Sequence, residues 1–246
     1  MREIPYWSYQ LISAVQNVNF LSVYVYIMKK CIATSLFIPS NISNKYSDTY
    51  LSIPNTMSLL GADFDLLIYY DDSVPKYMIE SLKQYSFVKL YKEDRSIGRS
   101  GCFWRYQSYD LYDIVLFRDI DIAIEDNDVI VYNNFITNTK NNIAWIFLVH
   151  PRRPYPKQGF VMGGVFMIKK NPIIPSMKML LDDWSNKSHY GSDEEFLSIK
   201  LYPLLNPVCY YEPRDNCKNT VIINTEFETY VMLKDNYKLT KYSNKG

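Results

Sequence analysis

The chain has 246 residues, 48% of them hydrophobic, enough to bury a substantial core. Its 27 basic and 26 acidic side chains leave a formal charge of +1, which excludes the global field that draws a protein to nucleic acid or an anionic membrane, so any anion must be bound locally. Cys31, Cys102, Cys209 and Cys217 are widely spaced and accompanied by only two histidines, His150 and His189, which argues against a zinc site or a disulfide framework and fits free thiols in a reducing compartment.

From the amino terminus, Leu11 to Met28 is the nearest approach to a membrane segment, but Gln16, Asn17 and Asn19 interrupt it. No basic flank or small-residue cleavage site accompanies it. Asn19 to Met28 is rich in β-branched and aromatic residues and predicts a first strand, with Lys29 and Lys30 just past its end. Ser40 to Thr49 is polar and predicts a loop. Asn55 to Leu60 predicts a short helix stopped by Gly61, followed by a strand over Phe64 to Tyr70 that ends at Asp71 and Asp72. Pro75 suits the first turn of a helix running to Gln84, and Phe87 to Tyr91 gives a third strand.

Gly101 to Tyr109 reads as a helix in which Trp104 belongs to the core. It feeds the apolar run Ile114 to Phe117, whose near-continuous hydrophobicity predicts burial on both faces. That run ends in Arg118, Asp119, Ile120 and Asp121. In an extended backbone Asp119 and Asp121 share a face, where hard carboxylate oxygens could hold Mg2+ or Mn2+ and leave other positions to water and phosphate oxygens. The structural alternative is a turn whose aspartates accept backbone hydrogen bonds.

Ile143 to Val149 predicts another strand, and Gly159 to Ile168 one more, with Gly163 and Gly164 inside it allowing a ligand close to the backbone. Helices are predicted from about Pro175 to Trp184 and from Asp193 to about Leu201. Ser192 and Glu195 match a capping box at the start of the second. Alternating strands and helices imply an α/β, three-layer sandwich with a mainly parallel mixed central sheet and ligands at the carboxyl ends of its strands. One domain over 1–246 is expected, with a motif-bearing core about 19–205 and an extension 206–246 that carries no readable motif. Neither a dinucleotide fingerprint nor a P-loop is present.

Five segments in order carry a resemblance: Tyr69-Tyr70-Asp71-Asp72-Ser73, Phe103-Trp104-Arg105-Tyr106, Phe117-Arg118-Asp119-Ile120-Asp121, Met162-Gly163-Gly164 and Tyr190-Gly191-Ser192-Asp193-Glu194-Glu195-Phe196-Leu197. Over roughly residues 60 to 205 they resemble GT-A-fold glycosyltransferases, in particular small nucleotide-sugar transferases of large DNA viruses and bacteria. Two departures are Ile122, where that family often has serine, and Asp193-Glu194, where it has Asp-Gln.

The resemblance implies a metal-dependent transfer of a sugar from a nucleotide-sugar donor to a hydroxyl of a glycan or glycoprotein acceptor. Asp119 and Asp121 would hold Mn2+ or Mg2+ against the diphosphate. Arg105, Asp72, Gly163 and Gly164 would join them in binding the donor, the base lying near the first strand and Tyr70 to Asp72. Asp193, with Glu194 as its neighbour, would face the acceptor as the catalytic carboxylate. For Arg105 an ordinary salt bridge is the competing role, and for Arg118 a pairing within the fold. No nucleic-acid partner and no integral membrane segment are expected, and the location is expected to be cytoplasmic, the host cytoplasm if viral. The rival readings are a nucleotidyltransferase making nucleotide sugars and an inactive carbohydrate-binding protein of the same fold.

Overall fold

The computed structural model describes residues 28–38, 46, 48–94, 99–137, 144–147, 161, 163–184, 189, 191–205, 208–213, 220–225, 229–233 and 238–242. The centre of the sheet is β1 (Lys30–Leu36), whose residues from Cys31 onward are all buried. It pairs in parallel with β2 (Phe64–Tyr70) on one side and β4 (Ile114–Arg118) on the other, and β3 (Val88–Lys92) extends the parallel set beyond β2. On the far side of β4 the direction changes. β6 (Val165–Lys169) runs antiparallel to β4, and β5 (Ala144–Phe147) antiparallel to β6.

Beyond β5 come β7 (Val208–Pro213), β8 (Thr220–Thr225), β9 (Thr229–Leu233) and β10 (Lys238–Tyr242). β7 pairs in parallel with β5, and the last three joins are antiparallel. The described strands therefore form one mixed sheet in the order β3-β2-β1-β4-β6-β5-β7-β8-β9-β10.

Side-chain alternation builds a core on each face of the sheet. Ile32, Leu66, Ile68, Leu116 and Met167 face one side, where they meet α1 (Ser52–Thr56), α2 (Lys76–Leu82) and α3 (Asp126–Thr137) through Ile53, Met78, Leu82 and Phe135. Cys31, Leu67, Val115, Phe117 and Phe166 face the other, against the 3-10 helix Arg99–Asp110, α4 (Met177–Asp182) and α5 (Ser192–Phe196). The second core is strongly aromatic: Phe103, Tyr106, Phe117, Phe166 and Phe196 meet through edge-on, tilted and stacked ring pairs. The result is the α/β three-layer sandwich that strand and helix alternation predicts.

Several boundaries differ from the expectation. The first strand among the described residues is Lys30–Leu36, so Lys30 opens a strand and does not follow one; Asn19 to Ile27 lie outside the described residues, and Met28 is exposed. Cys31, Ala33 and Ser35, the face of β1 under the 3-10 helix, are small, and the Arg105 amide donates to Ser35 Oγ at 3.2 Å. Gly163 and Gly164 sit in a turn before β6 and not inside the strand. Gly191, in a left-handed conformation, starts α5 one residue early, so Ser192 becomes a buried helical residue with no capping bond, and the Ser192/Glu195 capping box does not form. Glu195 instead meets His189 at 3.3 Å.

Gly101 lets the 3-10 helix press against the end of β1. A Cβ there would lie 2.5–2.8 Å from three ring atoms of Phe37, which is itself edge-on to Trp104. Gly101→Ala is therefore expected to destabilise the fold by about 2 kcal/mol through overpacking, read as a lower urea midpoint at unchanged slope.

Among the described residues no helix is long and apolar enough to cross a membrane, and Leu11 to Ile27 lie outside them. Cys31 is a buried free thiol.

Candidate active site

The carboxyl ends of β1, β2 and β4 converge with the 3-10 helix and α5 on one edge of the sheet, as expected for an open α/β sheet. The group that organises this edge is Arg105. Its side chain is only 4% exposed, yet it reaches three acceptors. Nη1 donates to Asp119 Oδ1 at 2.6 Å and to the Arg118 carbonyl at 3.2 Å, and Nη2 lies 3.5 Å from Asp193 Oδ2.

A rigid fork of donors suits this bridging better than an ammonium would. Burial works against the guanidinium's charge, but Tyr106, Asp119 and Asp193 outweigh it, so its pKa lies above the ordinary arginine value. Burial also pushes the Tyr106 hydroxyl well above the usual tyrosine range. Arg105 is thus an ion pair of the fold, and its carboxylate partners are two of the predicted site residues.

Asp119 follows β4 directly. Its amide donates to the Gly164 carbonyl at 3.0 Å, which ties the end of β4 to the turn entering β6. The two glycines are needed for close approach. A Cβ on Gly164 would come within 2.6 Å of Asp119 Oδ2, and one on Gly163 within 2.5 Å of Asp193 Oδ2 and 3.3 Å of Arg105 Nη2. Any side chain at either position would displace a carboxylate.

The extended backbone does not continue to Asp121. Residues 120 and 121 turn, with the Ile122 amide bonded to the Asp119 carbonyl at 3.1 Å, so the shared face inferred from strand alternation is replaced by a shared turn. Asp119 is 46% exposed and Asp121 is exposed. Asp121 makes no ion pair with another described residue.

Arg105, Asp119, Asp193, Gly163 and Gly164 thus come together, with Asp121 in the same turn as Asp119. Asp193 lies in the first turn of α5 with its side chain 14% exposed. Arg105 pairs with Asp193 and not with its neighbour Glu194. Asp72 stands apart: it is 85% exposed and pairs with Lys92 of β3 at 2.8 Å.

The buried acid after β2 is Asp71. Its Oδ1 accepts from the Ser73 amide at 3.0 Å and from the Ser73 hydroxyl, whose oxygen accepts from the Ile38 amide at 2.8 Å, fastening the ends of β1 and β2 together. Sequence reasoning did not single out Asp71, although its odd position beyond Leu67 and Tyr69 puts it on their buried face. Tyr106 was also missed; its hydroxyl lies 3.1 Å from where a Gly163 Cβ would sit.

No protein-family model matches the chain, and no curated protein matches it by sequence. Solved structures do match in fold. TarS residues 1–349 from S. aureus superposes with a TM-score of 0.50 at 15% identity, over 74% of this chain and 58% of that one. The same fragment in complex with UDP gives 0.49 at 14% identity, over 74% and 57%. The 4-diphosphocytidyl-2C-methyl-D-erythritol synthase of Anaerococcus prevotii gives 0.51 at 11% identity, over 76% and 88%. The chain spans somewhat more than half the length of the TarS fragment. At these identities the likeness is one of fold, and the fold is α/β and GT-A-like.

Proposed function

We propose that this chain is a metal-dependent glycosyltransferase that moves a sugar from a nucleotide-sugar donor to a hydroxyl of a glycan acceptor. The observation that carries the reading is the single buried guanidinium of Arg105 shared by Asp119, after β4, and Asp193, on α5, with two glycines closing over the same carboxylates. One cation thereby fixes a carboxylate suited to a metal and diphosphate beside a carboxylate suited to a hydroxyl.

Asp119 and Asp121 present exposed hard oxygen donors at a strand end, a donor set that fits Mg2+ or Mn2+. No third histidine, cysteine or acid joins them among the described residues, so water and donor phosphate oxygens would complete the shell. Bound there, the cation supplies Lewis-acid stabilisation of the departing nucleoside diphosphate. Arg105 keeps Asp119 and Asp193 from repelling each other and orients both. In this reading Asp193 accepts a hydrogen bond from a sugar or acceptor hydroxyl and takes its proton. Gly163 and Gly164 let the Asp193 and Asp119 carboxylates close against the backbone beside the donor.

Against nucleotidyl transfer stands the segment after β1. Enzymes of that class usually carry a glycine-rich loop there, whereas this chain has no glycine before Gly61.

The reading is tested by calorimetric titration of nucleoside diphosphates into the protein with MnCl2 and again with EDTA. Binding is expected with the metal and its loss is expected on chelation. Equal heats in both conditions would remove the metal from the proposal. Pyrophosphate release from a sugar phosphate and a nucleoside triphosphate would favour the nucleotidyltransferase instead.

A further inference from the structure

We propose that Arg118 is a positioning residue that sets the turn carrying Asp119 and Asp121, through a buried network with Asp128 and Tyr132 of α3. The inference rests on the metal-site reading above and extends it to the opposite face of the sheet. Arg118 closes β4 on the same face as Ile114 and Leu116, the face covered by α3, while Asp119 belongs to the face of Arg105.

The Arg118 side chain is 3% exposed and uses its fork fully. Nε donates to the Ile122 carbonyl at 2.9 Å, Nη2 to the Ala123 carbonyl and to Asp128 Oδ2 at 2.8 Å, and Nη1 to the Tyr132 hydroxyl at 2.9 Å. Asp128 Oδ2 also accepts from the Glu125 amide at 2.9 Å, and Thr56 Oγ1 of α1 accepts from the Ile124 amide at 2.9 Å. The backbone from 122 to 125 is therefore held at four consecutive residues by buried or half-buried groups.

Asp121 is the part of this segment with no such hold. It is exposed and has no ionic partner among the described residues, so its placement depends on the backbone beneath it. Ordering such residues costs conformational entropy, which a free loop would lose at the moment of ion binding. A turn fixed in advance has already met that cost. The Arg118–Asp128 ion pair is aimed at two backbone carbonyls and so ties the backbone beside Asp121 to α3. Outer-shell groups of this kind typically tune metal affinity by about 10–100-fold.

The test measures Mn2+ affinity by electron paramagnetic resonance and amide hydrogen exchange at Ile122, in the wild type, Arg118→Lys, Asp128→Asn, Tyr132→Phe and Asp119→Asn. Arg118→Lys and Asp128→Asn are expected to bind Mn2+ about tenfold more weakly. Their Ile122 amide should exchange faster, and the Mn2+ concentration for half-maximal turnover should rise while the rate at saturating Mn2+ changes little.

Tyr132→Phe removes one bond and keeps the ion pair. It gives a smaller shift in the same direction and serves if the charge variants fail to fold. Wild-type Mn2+ affinity in all the folded variants, with binding lost in Asp119→Asn, overturns the role of Arg118 and leaves the site standing. Wild-type affinity in Asp119→Asn overturns the site reading and this inference with it.

Discussion

Asparagine in place of Asp119 is expected to lower sugar transfer by about 10²–10³-fold while the protein stays folded, the scale on which a lost charge-stabilising group at a reaction centre is felt. The substitution is nearly isosteric. The backbone bond from residue 119 to Gly164 remains, and Arg105 keeps the Arg118 carbonyl and Asp193 as acceptors. Because Asp119 is nearly half exposed, its ion pair with Arg105 is screened by water, and the expected stability loss is about 1 kcal/mol or less. Rate and stability should therefore separate. Asp121→Asn is expected to act in the same direction with a still smaller effect on melting. The measurement is turnover of nucleotide sugars built on the nucleoside diphosphate that the binding titration identifies, at several Mn2+ concentrations, beside a thermal melt. A folded Asp119→Asn protein with the wild-type rate would end the metal-site reading.

How much of this could be read from the chain depends on whether the deciding force is local. β2 is observed over the predicted Phe64 to Tyr70, since an apolar run bounded by Gly61 and two aspartates fits one element. α4 lies within the predicted Pro175 to Trp184, α5 opens the helix predicted from Asp193, which a π-helical turn over Leu197–Leu201 continues, and β4 keeps the apolar run. β1 over Lys30 to Leu36 escapes local reading because Asn19 to Met28, nearly all outside the described residues, has strand character as well. The choice falls to pairing with β2 and β4, which no local pattern records. The glycine pair was recognised but assigned to a strand; its turn follows from the antiparallel register that sets Arg118 opposite Val165.

The site divides along the same line. Asp119, Asp193, Arg105 and the glycines were named from motif order, but nothing in their spacing reveals that one guanidinium joins the two acids. That contact exists because β6 enters beside the end of β4 and α5 packs over the 3-10 helix. Asp71 and Asp72 are adjacent acids that look alike in sequence. In the fold the alternation of β2 buries the first, while the second pairs with Lys92 in solvent.

Replacing Arg105 with methionine should produce the largest combined loss. The side chain keeps much of its length and apolar stem, so the cavity is small, and what disappears is the charge between Asp119 and Asp193. Removing one partner of a fully buried ion pair typically costs about 3–5 kcal/mol. Water reaches Asp119, so a loss of about 2 kcal/mol in urea unfolding is expected here, together with at least about 100-fold in transfer rate.

The double variant with Asp193→Asn separates the causes. If the stability cost comes from a buried carboxylate left without its cation, removing that carboxylate's charge should return about 1 kcal/mol, a coupling well outside simple additivity. Activity should not return, because the acceptor-side carboxylate has gone as well. Purely additive stabilities would mean that Arg105 packs against the site without bridging it. Full activity in Arg105→Met would show that neither acid depends on the shared guanidinium for its position.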